Sequence, residues 1–184
     1  MKIKETYLKG CYIIEPTIFK DERGLFFEEF NTKKFKTLTN WPGNFVQDNR
    51  SISKKGALRG LHFQKGKHSQ AKLVNVVRGA VIDVVVDIRK DSPTFGKHFK
   101  INLNDQNHLQ LFIPKGFAHG FLSLEENTVF SYKCDEYYCK EAESGIRYND
   151  EVLNIDWGFP QSELILSEKD ENLKGFNELI PFEG

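Results

Sequence analysis

Between Lys72 and Ile88 the chain has little choice but to run extended. Leu73-Val74-Asn75-Val76-Val77 and Val81-Ile82-Asp83-Val84-Val85-Val86-Asp87-Ile88 are dominated by β-branched residues, which lose rotamer freedom in a helix and pack well on a pleated sheet. Only Arg78-Gly79-Ala80 separates them. Gly79 can take the positive φ of a tight turn, so the stretch is expected to fold as a hairpin. Similar β-rich runs recur at Cys11–Ile14, Gly24–Phe30, Phe45–Asn49, Leu58–Gln64, Lys97–Leu103, Leu109–Ile113, Gly120–Leu124 and Thr128–Tyr132. Pro16, Pro93, Pro114 and Pro160 punctuate the connections, and helical spacing is confined to Asn31–Thr39 and Ser167–Leu173. Closure is how such folds remove exposed strand edges. The expectation is one all-β domain over residues 1–184, a jelly-roll sandwich or barrel with a few short peripheral helices.

Charge narrows the function. The chain holds 26 Lys+Arg against 26 Asp+Glu, without the cationic excess that drives binding to a nucleic-acid backbone, so no nucleic-acid partner is expected. The most apolar stretch, Ala80–Ile88, is interrupted by Asp83 and Asp87, so no membrane span is expected. Met1–Thr6 is charged and no apolar segment follows it, which predicts a cytoplasmic protein. Cys11, Cys134 and Cys139 are odd in number and spaced unlike a zinc knuckle; free thiols in a reducing compartment fit them.

Polar residues interrupt the apolar strands. Two-residue alternation puts His62 on one face of Arg59-Gly60-Leu61-His62-Phe63-Gln64 with Gly60 and Gln64, and Arg59 on the other with Leu61 and Phe63. Taken alone, His62 reads as an ordinary histidine on a partly exposed edge strand, and Lys72 as a lysine that snorkels to water. Asp83 and Asp87 lie four apart and share a face, where burial would require partners; Arg59, Lys72 and Arg89 are the candidates. An inward-facing polar set would line a ligand cavity.

Ile113-Pro114-Lys115-Gly116-Phe117-Ala118-His119-Gly120 is a rigid turn leading into a strand. Its Pro-x-Gly-x-x-His pattern resembles the second motif of the cupin superfamily. A metal-binding cupin also carries a His-x-His pair, because a divalent ion needs three or four converging ligands. Here His62-Phe63-Gln64 offers one imidazole and His68 is the nearest other, so no metal site is expected.

A longer resemblance covers roughly residues 10 to 170 in order. Asp21-Glu22-Arg23-Gly24, Phe45-Val46-Gln47-Asp48-Asn49, Leu58-Arg59-Gly60-Leu61-His62-Phe63-Gln64, Lys72-Leu73-Val74, Asp87 to Gly96, Ile113 to Phe121, Tyr132-Lys133, Tyr137-Tyr138, Asn149-Asp150, Ile155-Asp156-Trp157 and Leu166 to Asp170 are similar to the dTDP-4-dehydrorhamnose 3,5-epimerase family, metal-free relatives of the cupins. The resemblance implies an isomerase that inverts the two carbons flanking the C4 ketone of a dTDP-linked 4-keto-6-deoxy sugar, a step of dTDP-L-rhamnose biosynthesis for polysaccharide. The substrate's own ketone is the electron sink, so no cofactor is implied.

By the same resemblance His62 is the base, Asp170 the carboxylate that orients it, Lys72 the group facing the C4 oxygen and Tyr132 the acid. Arg23, Gln47, Asn49 and Arg59 are implied to grip the diphosphate and sugar, with His119, Glu28, Glu143 and Lys169 as further contacts and Phe26 and Tyr138 stacking on the thymine. Family members are homodimers that exchange N-terminal strands, so Arg23, Phe26 and Glu28 are expected to serve the neighbour's pocket. Two alternatives stay open on the residues alone: inversion at C3 or C5 only, or on another nucleotide-linked 4-keto sugar; and a noncatalytic or metal-binding cupin.

Overall fold

The computed structural model describes residues 1–183 of the chain. The strands are β1 (Lys2–Glu5), β2 (Tyr12–Glu15), β3 (Ile18–Asp21), β4 (Gly24–Phe27), β5 (Gln47–Ser53), β6 (Leu58–Gln64), β7 (Lys72–Arg78), β8 (Ala80–Asp87), β9 (His98–Asn104), β10 (Gln110–Ile113), β11 (Phe117–Ser123), β12 (Thr128–Cys134) and β13 (Glu143–Gly145). Two short helices, α1 (Thr32–Thr39) and α2 (Glu168–Glu171), lie where helical spacing was read. The expected strands all contain β-structure. β1, β3 and β13 were not anticipated; they are three or four residues long, and β1 is nearly all charged. No helix is long and apolar enough to cross a membrane among the described residues.

Two antiparallel sheets face each other, one ordered β1-β2-β10-β7-β12-β5 and the other β13-β6-β11-β8-β9, with β3–β4 as a separate hairpin. This is the all-β, jelly-roll type of architecture that the strand spacing predicted. Val74, Val76, Leu111, Ile113 and Phe130 of the first sheet bury against Val81, Val85, Leu103, Phe117 and Phe121 of the second. Each side chain of this size contributes about 1.5–3 kcal/mol on full burial.

The expected hairpin at Gly79 does not form. β7 pairs with β10 and β12, whereas β8 pairs with β11 and β9 in the opposite sheet. Gly79, at φ +84°, is a corner that carries the chain across the sandwich. A Cβ there would lie 2.6 Å from Thr128 Oγ1. Alternation identified both strands correctly, but it is blind to which strand lies alongside.

Both outer faces are also covered. Phe35 of α1 packs with Ile14, Leu73 and Phe112 outside the first sheet, joined by Trp41 and Phe45. The chain after β13 lays Ile146, Leu153 and Trp157 on Leu58, Leu61, Val84, Val86 and Leu122 outside the second. This second cover carries α2, and with it Asp170, to the edge of β6.

Strand β6 departs from simple alternation. His62 is registered with His119 but Arg59 with Phe121, so three steps along β6 match two along β11. That extra residue is a β-bulge, which turns Arg59 to the same side as His62 and overturns the expectation that they face opposite ways. Gly60 and Gly120 make the bulge possible because the two backbones approach too closely for a side chain.

Gly60→Ala would place a methyl 2.5 Å from Gly120 Cα and 2.8 Å from the His119 carbonyl, at φ +127°. The expected outcome is a loss of about 2–4 kcal/mol of stability, read as a lower urea midpoint at unchanged m-value.

Candidate active site

A cavity of about 250 Å³ opens between the sheets. Its walls come from both: Arg59, His62, His119 and Phe121 from the sheet of β6 and β11, and Ser51, Lys72, Phe130 and Tyr132 from the sheet of β5, β7 and β12. The segment at α2 adds Ser167, Lys169 and Asp170. An adjoining hollow of about 140 Å³ shares His62, Lys72 and Tyr132 and adds Gln47, Asn49, Gln64, Gln70, Tyr138 and Glu143. His62 sits on an interior strand between β13 and β11, not on an edge.

His62 and Asp170, 108 residues apart, are joined through His62 Nε2 and Asp170 Oδ1. Ser167 donates its hydroxyl to Asp170 Oδ2 at 2.9 Å and accepts from the Asp170 amide at 3.2 Å, capping α2. Burial alone would raise the Asp170 carboxyl, but the hydrogen bond and charge of His62, with Ser167, more than offset it and hold it below its ordinary value. Asp170 therefore stays ionised beside the imidazole and leaves Nδ1 as the ring nitrogen free to take a proton.

Lys72 and Tyr132 stand together on the opposite sheet, the ammonium 5.9 Å from the ring centroid. Burial is the largest influence on both, pushing Lys72 down and Tyr132 up from their ordinary values. The phenol thus remains protonated at neutral pH, and the ammonium gives up its proton more readily than a solvated lysine.

His119 is buried, its Nε2 2.9 Å from Asp83 Oδ2. Of Arg59, Lys72 and Arg89, it is Arg89 that takes Asp87, with side-chain bonds of 2.9 and 2.6 Å, and Ser92 and Thr94 each add one of 2.6 Å. Asp83 is served instead by His119, a residue across the β8–β11 pair that no sequence spacing links to it.

In the adjoining hollow Gln47 donates to Asn49 at 3.0 Å and accepts from the Tyr138 amide at 2.9 Å. Glu143 accepts from the Tyr138 hydroxyl at 3.0 Å and from Lys169 at 2.6 Å. Burial would raise Glu143, yet these bonds leave it below its ordinary value. With Arg59, Lys72 and Lys169 on its walls, the cleft is suited to an anionic ligand.

Arg23, Phe26 and Glu28 lie elsewhere. Arg23 and Phe26 line a groove on the β3–β4 hairpin, where Arg23 pairs with Asp21 at 2.6 Å and Phe26 is 69% exposed. Glu28 pairs with Lys34 at 2.7 Å. The cleft also contains residues that were not anticipated: Ser51, whose buried hydroxyl has no partner, the Phe121 and Phe130 walls, and Ser167. Only Ser167 carried a readable signal, since Ser-x-x-Asp opens a helix. Among the described residues no three of His, Cys, Asp and Glu are grouped as metal ligands would be.

Residues 5–178 match the family model for dTDP-4-dehydrorhamnose 3,5-epimerase. Over 181 residues the chain is 50% identical to the dTDP-4-dehydrorhamnose 3,5-epimerase of Escherichia coli (strain K12), spanning 98% of this chain and 97% of that protein. The crystal structure of the dTDP-4-dehydrorhamnose 3,5-epimerase of Elizabethkingia anophelis matches with a TM-score of 0.94 at 56% identity, over 97% of each chain. The dTDP-6-deoxy-D-glucose-3,5-epimerase of Legionella pneumophila, solved in complex with dTDP-4-keto-L-rhamnose, matches with a TM-score of 0.94 at 46% identity, over 100% of this chain and 98% of that one.

Asp170 provides a pH test. A carboxyl lowered on folding contributes stability that is complete above its unfolded value, near 3.8, and is lost as pH falls through the folded value. Asp170→Asn should therefore lower stability at neutral pH and flatten the acid side of the stability curve. Ser167→Ala, which removes the cap, should cost about 1 kcal/mol. Urea titrations from pH 2 to 8 check both.

Proposed function

Because the chain belongs to the dTDP-4-dehydrorhamnose 3,5-epimerase family, we propose that it works through His62 and Tyr132 acting from opposite sheets on one sugar ring. The enzyme is an isomerase that converts dTDP-4-dehydro-6-deoxy-D-glucose to dTDP-4-dehydro-L-rhamnose, a step of dTDP-L-rhamnose biosynthesis. The observation that carries the residue assignment is the cavity itself, with a carboxylate-bound imidazole on one wall and a half-buried phenol beside a half-buried lysine on the other.

The hydrogens on C3 and C5 are acidic only because the electrons released can move onto the C4 oxygen. His62 Nδ1 takes the proton, and Asp170 stabilises the resulting imidazolium. Lys72 faces the C4 oxygen and stabilises the enolate, where a desolvated cation has more effect than in water. Tyr132 returns a proton to the carbon from the other side, which inverts the centre. A phenol is a weak acid, but an enolate carbon is a far stronger base, and the raised Tyr132 value keeps the proton available until it is needed. His62 and Tyr132 then recover their starting states by exchange with solvent, and the cycle repeats at the second carbon.

Arg59, His119 and Lys169 hold the sugar and diphosphate, with Gln47, Asn49, Tyr138 and Glu143 beyond them. Arg23, Phe26 and Glu28 complete the neighbour's cleft in a homodimer. β1 pairs with β2 of its own chain, so the N-terminal element offered for exchange is the β3–β4 hairpin, whose Phe19 and Phe26 are exposed.

Turnover in heavy water is expected to place deuterium at both C3 and C5; label at one carbon alone would make the enzyme a mono-epimerase. His62→Ala and Tyr132→Phe should each lower kcat by about 10²–10⁴-fold, measured as NADPH consumption with the downstream reductase. Full turnover in both would remove the assignment. For the dimer, His62→Ala mixed with an Arg23→Ala/Phe26→Ala chain should regain about a quarter of wild-type activity after subunit exchange, since half the dimers are mixed and one of their two clefts is whole. No regain would place the hairpin at its own cleft.

A further inference from the structure

The Asn149-Asp150 pair has no part in the chemistry above, yet it stands behind it. Asp150 is 4% exposed and both its oxygens are engaged. Oδ1 accepts from the amides of Val152 and Leu153 at 3.0 and 3.1 Å. Oδ2 accepts from the Phe176 amide at 2.8 Å, with Arg147 Nε 3.6 Å away. One carboxylate thus ties the loop leaving β13 to the segment that follows α2.

These contacts close a ring around the catalytic pair. His62 is paired with Gly145 of β13. Two residues on, the Arg147 amide donates to the Lys174 carbonyl at 2.9 Å, and Asp150 then holds Phe176. The chain between Lys174 and Asp170 passes through Leu173, which fills the space over Gly145: a Cβ on that glycine would lie 2.8 Å from the Leu173 methyls. A Cβ on Gly175 would come 3.1 Å from Asp150 Oδ2. α2 is a four-residue turn, too short to hold its place by its own hydrogen bonds. Its position is set by what holds the chain on either side: before it, Ile165 bonds to Gly56 and Leu58 at 2.9 and 3.0 Å, and after it the Arg147 and Asp150 contacts hold Lys174 and Phe176.

We propose that Asp150 is a positioning residue for the epimerisation: by clamping the segment after α2 to the β13 loop, it delivers Asp170 to His62. The proposal rests on the reading of His62 and Asp170 as the catalytic base pair. Asp150 is out of the cleft, so its loss should leave the nucleotide grip intact and slacken only the aim of the base.

The test compares Asp150→Ala and Asp150→Asn with Asp170→Asn, using dTDP titration calorimetry to show that the cleft is folded. Asp150→Ala is expected to lower kcat by about 10–100-fold, with KM and dTDP affinity within about twofold of wild type. It should also broaden or abolish the downfield proton NMR signal of the imidazole N–H shared with Asp170. Asp150→Asn keeps an acceptor for one side of the clamp and should recover part of kcat. Wild-type kcat in folded Asp150→Ala would overturn the proposal. So would parallel loss of kcat and dTDP affinity, the mark of a merely structural residue. If the alanine variant does not fold, wild-type kcat in Asp150→Asn with intact dTDP binding overturns it equally. Full kcat in Asp170→Asn would instead sink the base-pair reading itself, whereas loss there with full kcat in Asp150→Ala sinks the clamp alone.

Discussion

A β-sandwich can keep charged side chains in or beside its core only if each finds a partner that replaces water. Besides Asp150, three buried aspartates show how this chain meets the demand. Asp87 is enclosed by Arg89, Ser92 and Thr94, and it stiffens the β8–β9 connection. Asp83 Oδ2 is matched to His119, with its Oδ1 buried and unpartnered, and Asp170 to His62; both histidines stand on the cavity wall. The groups that satisfy the carboxylates are thereby aimed, each with one ring nitrogen committed.

The cavity lies between the two sheets. Its walls are supplied by opposite sheets whose separation is set by the Val, Leu and Phe layer beneath. A ligand entering there meets His62 on one side and Lys72 with Tyr132 on the other. For a ring that loses a proton from one face and regains it on the other, this division is the chemical requirement. Burial lowers Lys72 and raises Tyr132, in each case because a low-dielectric wall disfavours the charged form.

The bulge in β6 and the cover after β13 adjust the same site by different means. The bulge adds one residue and turns Arg59 into the cleft; the cover brings Asp170 across more than a hundred residues of chain. Both rely on glycine where backbones or packed side chains crowd: Gly60 against Gly120, and Gly145 beneath Leu173. In each case a side chain would be accommodated only by moving a wall of the site.

Strand identity was legible without the structure because alternation and β-branching are local properties, and β6, β7, β8 and β11 sit close to where those patterns put them. His62, Lys72, Tyr132, His119 and Asp170 were legible as a set through their resemblance to a family, although Asp170 alone reads only as a charge at a helix start. The direction of Arg59, the partner of Asp83 and the role of Gly79 were not legible. Each depends on what lies alongside or across the sandwich, and backbone pairing between distant strands leaves no mark on the spacing of either one. So the order of residues along the chain marked most of the segments that became strands, short β1, β3 and β13 excepted, and offered a set of candidate side chains. Folding settled which of them meet, because contact across two sheets is decided by register, by one inserted residue in β6 and by the corner at Gly79.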